Sequence, residues 1–171
     1  MEISNMLKKL LLKMESTIKI PQVHAHCDIP CKIYDPMSAQ LAALSVVRYI
    51  DLIQETAQDE KCLEHDAQLI RLIASKEKSA EEAKHEVRII WGDYIKQPQL
   101  DKHPQLHSLV HQIMQAGSAC KQGVERAKGE KLVELINQFA AIFWDTKGVP
   151  TYTAKCPYPP SLNVVYPKLQ P

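Results

Sequence analysis

The placement of proline divides this chain more sharply than any other sequence feature. Proline interrupts α-helices because it lacks an amide hydrogen and its ring clashes with the preceding turn. Residues 37–97 and 105–149 contain no proline, whereas residues 148–171 contain six of the eleven prolines. Glycine is also scarce, with five in the chain and none in residues 1–91. Long helices are therefore expected only in the two proline-free stretches.

Apolar residues in these stretches recur every three to four positions, as is typical of amphipathic helices. The pattern predicts four helices, over about residues 37–56, 63–96, 104–120 and 129–147. Asp35 and Pro36 give the first helix a start signal, as N-cap and first helical residue. In the second helix the apolar face begins with Leu63, Ala67, Ile70 and Ala74. No segment alternates polar and apolar residues for long enough to indicate a strand. The pattern therefore predicts an all-α, antiparallel up-down four-helix bundle.

Composition excludes several classes of function. The 171 residues indicate one domain, and the net charge of +1 argues against a nucleic-acid partner. No run of 18 apolar residues is present, so no membrane span is expected. Five cysteines are odd in number and too few for a disulfide scaffold.

The two ends differ from the helical middle. Residues 1–25 carry four lysines, two acids and apolar residues at helical spacing. A secretory signal peptide is the less favoured interpretation, because Lys8, Lys9 and Lys13 interrupt the apolar stretch. Residues 148–171 contain no acidic residue and are rich in proline. They are predicted to form an extended tail that either wraps a surface or stays mobile.

One short segment carries the residues suited to chemistry. His26, Cys27 and Cys31 place one imidazole and two thiols within six residues. Pro30 disfavours helix at Ile29, so a compact loop is expected to bring the two sulfurs together. Three side-chain ligands are one short of a closed zinc site, and thiolates with nitrogen donors suit Ni(II) or Cu(II). The alternative is a surface turn whose cysteines are free or disulfide-linked.

The run from His26 to Pro36 resembles the nickel hook of nickel-containing superoxide dismutases. The matching residues are His26-Cys27-Asp28, Pro30-Cys31 and Tyr34-Asp35-Pro36. Three later segments also resemble this family, and they are Trp91 to Lys96, Pro104 to Val110 and Ile142 to Lys147. The resemblance covers about residues 26–147, and the hook is its most specific part.

The resemblance implies an enzyme that converts superoxide and protons to oxygen and hydrogen peroxide, with one nickel ion per subunit cycling between Ni(II) and Ni(III). It implies a homohexamer of four-helix bundles and a cytoplasmic location. In this family a protease exposes the hook histidine as a new N-terminus, which implies a cut between Ala25 and His26. Residues 1–25 would then be a pro-segment, residues 26–147 the hook and bundle domain, and residues 148–171 a tail outside the match.

The same resemblance assigns the metal ligands. They are the sulfurs of Cys27 and Cys31, the backbone nitrogen of Cys27 and the α-amine of His26, with the His26 imidazole as axial ligand. The α-amine is a peptide nitrogen before cleavage, so the uncut chain is expected to lack the proper site. Metal binding would thus be coupled to processing as well as to deprotonation.

Further residues match family positions near the metal. Tyr34 is expected to order water and guard access, and Pro30 to shape the hook. Asp28 is expected to fix the hook through hydrogen bonds, with a solvated turn carboxylate as the alternative. Tyr94 matches a family tyrosine near the site, with core packing as its alternative.

The chain also departs from the family pattern. The usual Glu and Arg that support the axial histidine fall on Ala42 and Ser79, and the Gly that often follows the second hook cysteine is Lys32. Because both partners of the charged pair are absent, no single charge is left unpaired. The departures keep a second hypothesis open, a non-catalytic metal- or thiol-binding helical bundle that retains the hook.

Overall fold

The computed structural model describes residues 31–170. In this part of the chain the helices are α1 (Met37–Thr56), α2 (Leu63–Ile89), α3 (Gln97–Lys102), α4 (Leu106–Gln122) and α5 (Arg126–Thr146). A π-helical turn, Ile90–Tyr94, continues α2, and the strands β1 (Thr151–Lys155) and β2 (Asn163–Pro167) follow α5. Cys31 and Lys32 belong to an N-terminal unit of the chain, and all of these elements belong to the unit that begins at residue 33.

The four long helices agree with the prediction from proline placement and apolar periodicity. Helix α1 begins at Met37, as predicted, although its N-cap is Pro36 rather than the expected Asp35. The Asp35 carboxylate still accepts a hydrogen bond from the Met37 amide at 2.7 Å, as a start signal of this kind requires. The short helix α3 and the π-helical turn were not predicted.

Neighbouring long helices run in opposite directions. Between α1 and α5, Gln40 is bonded to Asn137, whereas Asp51 further along α1 pairs with Arg126 at the start of α5. Helices α2 and α4 show the same order, because Lys76 lies against the end of α4 and Trp91, just beyond α2, lies against His107 near its start. The core between the helices is aliphatic with two phenylalanines, and its largest buried apolar residues are Phe139, Phe143, Ile50, Leu106, Ile113, Leu132 and Ile136.

Lys76 is a buried charge with a structural function. Its side chain is 2% exposed, and its ammonium donates to the backbone carbonyls of Lys121 at 3.1 Å and Gly123 at 2.6 Å. These carbonyls lie at the end of α4, where the helix leaves acceptors without intrahelical partners. Burial lowers the pKa of Lys76 below its ordinary value. The residue thus joins α2 to the end of α4.

The prediction that the chain contains no strand is wrong for the tail. Strands β1 and β2 form an antiparallel hairpin in which Tyr152 lies opposite Tyr166 and Ala154 opposite Val164. Each strand has only five residues, which is too short for a clear alternation of polar and apolar positions. The hairpin packs on the helices through the buried residues Cys156 and Val164.

Two side-chain amides attach this hairpin to the helices. Asn137 on α5 accepts from the Val165 amide at 3.1 Å and donates to the Asn163 carbonyl at 2.8 Å. Gln40 on α1 is 3% exposed and donates to the Val165 carbonyl at 2.8 Å and to Asn137 at 3.1 Å. These groups pair with the outer edge of β2 as a third strand would.

We expect Asn137→Ala to lower the free energy of unfolding by about 1–3 kcal/mol, because the Val165 amide and the Gln40 side chain lose a partner away from solvent. Urea unfolding and hydrogen exchange at the Val165 amide measure the effect. The neighbouring Gln138→Ala is the control, since its amide bonds only to Glu134 on the same helix. Equal unfolding midpoints for the two variants would contradict the assignment.

Glu81 is the centre of an ion-pair network between α2 and α4. Its carboxylate contacts Arg88 at 2.9 Å, Lys121 at 3.3 Å and Lys84 at 3.5 Å. The hydrogen bond from Arg88 is the largest influence, and together these groups lower the pKa of Glu81 from 4.5 to about 2. The side chain is 44% exposed, so solvent screening keeps its contribution to stability below about 1 kcal/mol.

This lowered pKa predicts a specific pH dependence. The unfolded chain protonates Glu81 first as the pH falls, so the stabilisation is complete above pH 4.5 and is lost between pH 4.5 and about 2. Glu81→Gln should therefore be less stable than the parent chain near pH 6 and approach it near pH 2. Thermal unfolding across this range provides the measurement, with Glu82→Gln as control. A stability difference that does not change with pH would rule out the network as its source.

The apolar face of α2 is buried only in its second half. Ala80, Ala83 and Val87 are fully buried, whereas Leu63 is 80% exposed and Ile70 is 68% exposed. Trp91, just beyond the end of α2, is 37% exposed. Among the described residues, no helix combines the length and apolar character needed to cross a membrane.

Candidate metal centre

Most of the predicted hook lies outside the described residues, namely His26, Cys27, Asp28 and Pro30. Cys31 is the first described residue, and it is exposed and lies outside any helix. Lys32 follows with a φ of 60°, in the left-handed region that favours glycine. This conformation gives a physical reason why glycine suits the position after the second hook cysteine.

Tyr34, three residues after Cys31, is half-buried and packs against the helical core. Its ring centroid lies 5.6 Å from that of Tyr94, and Tyr94 lies 5.2 Å from Phe143 on α5. Distances and tilts of this kind are favourable for aromatic pairs. The two tyrosines singled out from the sequence are therefore in direct contact, and Tyr94 combines core packing with a position beside Tyr34.

The hydroxyl of Tyr94 has a defined partner. It lies 2.8 Å from the hydroxyl of Thr146, which itself donates to the Phe143 carbonyl at 2.6 Å. Because the Thr146 proton is committed to this carbonyl, the Tyr94 hydroxyl donates to Thr146. The Lys147 ammonium lies 4.1 Å from the Tyr94 ring centroid, within the range of a cation–π contact.

The π-helical turn Ile90–Tyr94 orients Tyr94 at the end of α2. The Ile95 amide donates to the Ile90 carbonyl at 3.1 Å, across five residues instead of four. Turns of this type widen a helix locally and are common at functional sites. Here the turn ends at Tyr94, whose ring reaches both Tyr34 and α5.

The three later segments that carry the resemblance meet at this end of the helices. Trp91 donates to His107 at 3.1 Å, which links the first segment to the second. Asp145, in the third segment, binds Lys102 at 2.6 Å and His103 at 2.9 Å. The hydrogen bond from Lys102 is the main reason that the pKa of Asp145 lies below its ordinary value.

Residues 31–170 contain no group of three His, Cys, Asp or Glu side chains placed to hold a metal ion. The donors that the resemblance assigns to a metal belong to the hook sequence. Two thiols, a backbone nitrogen and an imidazole are soft to borderline donors, which suit nickel better than magnesium or calcium.

Comparison with known proteins identifies the family. Residues 21–147 match the family model described as nickel-containing superoxide dismutase. This chain belongs to that family. The match begins before His26, so it includes the whole hook sequence as well as the helices.

Individual relatives agree with this assignment. The chain is similar to superoxide dismutase [Ni] of Streptomyces seoulensis, with 39% identity over 127 residues, which cover 74% of this chain and 91% of the relative. The Streptomyces coelicolor protein of the same name is 41% identical over 127 residues, covering 73% and 90% respectively. The native nickel superoxide dismutase structure at 1.30 Å superimposes with a TM-score of 0.63 and 38% identity, covering 71% of this chain and 99% of that chain.

Sequence reasoning did not assign roles to Phe143, Thr146 and Lys147. All three lie in the third segment that resembles the family, from Ile142 to Lys147, so the segment was found but its contacts were not.

The departures at Ala42 and Ser79 are also visible in the structure. Ala42 is 4% exposed on α1 and Ser79 is half-buried on α2, so neither position presents a charge.

We expect Thr146→Val to destabilise the fold by about 1 kcal/mol, because the Tyr94 hydroxyl loses its acceptor. Thr146→Ser keeps the hydroxyl and should remain close to the parent chain. Urea unfolding monitored by circular dichroism compares the two variants. A Val variant that is as stable as the parent chain would contradict the assignment, because valine keeps the methyl group of Thr146 and lacks only its hydroxyl.

Proposed function

We propose that this protein is a nickel-dependent superoxide dismutase, which converts two superoxide ions and two protons to oxygen and hydrogen peroxide. The observation that carries the proposal is the family match over residues 21–147, which contains the hook and the helices in one continuous span. The contacts of Tyr34 with Tyr94, and of Tyr94 with Thr146, also support the proposal, because both tyrosines match family positions near the metal.

His26, Cys27 and Cys31 would hold one nickel ion per subunit, through two sulfurs, the Cys27 backbone nitrogen, and the α-amine and imidazole of His26. When bound, nickel supplies a one-electron couple between Ni(II) and Ni(III), which two thiolates and an amide nitrogen bring into a usable range by donating electron density. The remaining requirements of the reaction, access and proton supply, fall to the side chains around the hook.

Tyr34 is the proposed guard of this access. Its hydroxyl would order water beside the metal and exclude anions larger than superoxide. Packing against Tyr94 limits the movement of the Tyr34 ring, because Tyr94 is itself held by Thr146 and Lys147. Pro30 would shape the hook, and Asp28 would fix it through hydrogen bonds.

Maturation is part of the proposal. Removal of residues 1–25 by a protease that cuts between Ala25 and His26 would convert a peptide nitrogen into an α-amine. An amine has a lone pair for a metal, whereas a neutral peptide nitrogen donates its lone pair to the carbonyl. The full chain would therefore be an inactive precursor, with residues 26–147 as the catalytic domain and 148–171 as an added tail.

We also propose an antiparallel up-down four-helix bundle, a homohexameric assembly and a cytoplasmic location. The opposed contacts of α1 with α5 and of α2 with α4 support the bundle. The assembly and the location rest on the family resemblance.

A second candidate is a non-catalytic metal- or thiol-binding bundle. The observation in its favour is the buried Ala42 together with Ser79, because no carboxylate–guanidinium pair at these positions could support the His26 imidazole. Groups that orient metal ligands tune both affinity and reactivity. The two candidates differ in turnover and agree in metal binding.

The test compares the chain that begins at His26 with the full chain, each with and without nickel. We expect nickel-dependent superoxide dismutation only from the cut chain. Cys27→Ser should abolish it, whereas Cys62→Ser should retain it, because Cys62 lies at the start of α2, outside the hook.

Other outcomes separate the candidates. Stoichiometric nickel binding by the cut chain without activity would exclude the dismutase and favour the binding protein. Nickel-dependent activity in the uncut chain would show that the α-amine is dispensable and would refute the maturation step.

A further inference from the structure

The hydroxyl of Thr146 has one proton and two neighbours that compete for it. The Phe143 carbonyl lies 2.6 Å from this hydroxyl and the Tyr94 hydroxyl lies 2.8 Å from it. A threonine hydroxyl donates a single hydrogen bond, so it can serve only one of the two as donor. The carbonyl can only accept, whereas the phenol hydroxyl can donate or accept. The direction of the bond between Tyr94 and Thr146 therefore depends on which neighbour receives the Thr146 proton.

The end of α5 decides between the two. Phe143 lies in the last turn of this helix, where carbonyls lack intrahelical partners. The Lys147 amide, four residues after Phe143, donates instead to the Trp144 carbonyl at 3.0 Å. Phe143 is 1% exposed, so water does not readily replace the Thr146 hydroxyl as its donor. The Thr146 proton thus stays with the Phe143 carbonyl.

This arrangement leaves the Tyr94 hydroxyl with a restricted role. Its one proton goes to Thr146, and only its lone pairs remain for other partners. Tyr94 is half-buried and its ring packs against Tyr34, so the residue is still within reach of water. A water molecule or a neighbouring hydroxyl that approaches Tyr94 from any side other than Thr146 must therefore donate to it.

We propose that Thr146 is a positioning residue for the dismutase reaction, because it keeps the Tyr94 hydroxyl an acceptor. Tyr94 then orients a water molecule by accepting one of its O–H groups, and it does not supply either of the two protons that dismutation consumes. Donation of the Tyr94 proton would require its bond to Thr146 to break. This role rests on the proposed function, since Tyr94 matches a family position near the metal.

The first experiment determines the direction of the bond in the full chain without nickel. Ultraviolet resonance Raman spectra contain a tyrosine doublet whose intensity ratio reports whether the phenol hydroxyl donates or accepts. Subtraction of the matching Tyr94→Phe spectrum isolates Tyr94 among the six tyrosines. We expect the donor signature in the parent chain and in Thr146→Ser, and its loss in Thr146→Val.

Thr153→Val is the matched control for this experiment, because Thr153 is exposed on β1 and lies in the tail. Its spectrum should equal that of the parent chain. Far-UV circular dichroism checks that every variant stays helical. A parent spectrum in which Tyr94 only accepts, or a Thr146→Val spectrum equal to that of the parent, would overturn the proposal.

The second experiment is a double-mutant cycle in the nickel-loaded chain that begins at His26. Thr146→Val and Tyr94→Phe should each lower kcat about fivefold, the rate equivalent of one lost hydrogen bond. The double variant should be no slower than either single variant, because the two hydroxyls act as a unit. Thr146→Ser should retain the parent kcat, since it keeps the acceptor for Tyr94.

The outcomes separate this role from the proposed function. If Tyr94 supplies a proton, Thr146→Val releases that proton and retains kcat while Tyr94→Phe loses it, which would refute the positioning role. If the nickel-loaded parent chain is inactive, the role in the reaction falls together with the proposed function. The Raman spectra of the nickel-free chain still decide the direction of the bond in that case.

Discussion

The hydrogen bond between Tyr94 and Thr146 is the interaction that holds together the candidate site at this end of the described helices. It joins the end of α2 to the end of α5, two elements far apart in sequence. The ring of Tyr94 packs against the ring of Tyr34, which is the third residue after Cys31 in the sequence. A side chain near the hook is thus held by the helical core through one hydroxyl pair and three aromatic rings, which is more rigid than a loop alone.

The helices were predictable because their signals are local. Proline positions and three-to-four-residue periodicity depend only on neighbours in sequence, and they located α1 at both boundaries. The π-helical turn and the contacts of Thr146 depend on packing between distant elements, which periodicity does not describe. The hairpin was missed for a similar reason. Its two five-residue strands become stable only when Asn137 and Gln40 satisfy the outer edge of β2.

The candidate site was recognisable from residue identity rather than from geometry. His26, Cys27 and Cys31 indicated a soft metal from their chemistry, and the resemblance to a family narrowed that metal to nickel.

For the apolar face of α2, in contrast, residue identity and periodicity did not predict which residues are buried. Periodicity grouped Leu63 and Ile70 with Ala80 and Val87, yet only the latter pair is buried. A periodic pattern identifies a helix face, but only the surrounding structure determines whether that face meets the core, a partner or water.

The loss of charge at Ala42 and Ser79 is consistent with retained function on physical grounds. A buried carboxylate without its guanidinium partner is costly, whereas replacing both residues with small ones removes the desolvation cost together with the attraction. Ala42 fills a core position at 4% exposure and leaves no polar atom to satisfy. The support that such a pair gives an imidazole must then come from elsewhere. In the described structure Tyr34, Tyr94 and Thr146 form a chain of uncharged contacts, which differs in chemical type from a carboxylate–guanidinium pair.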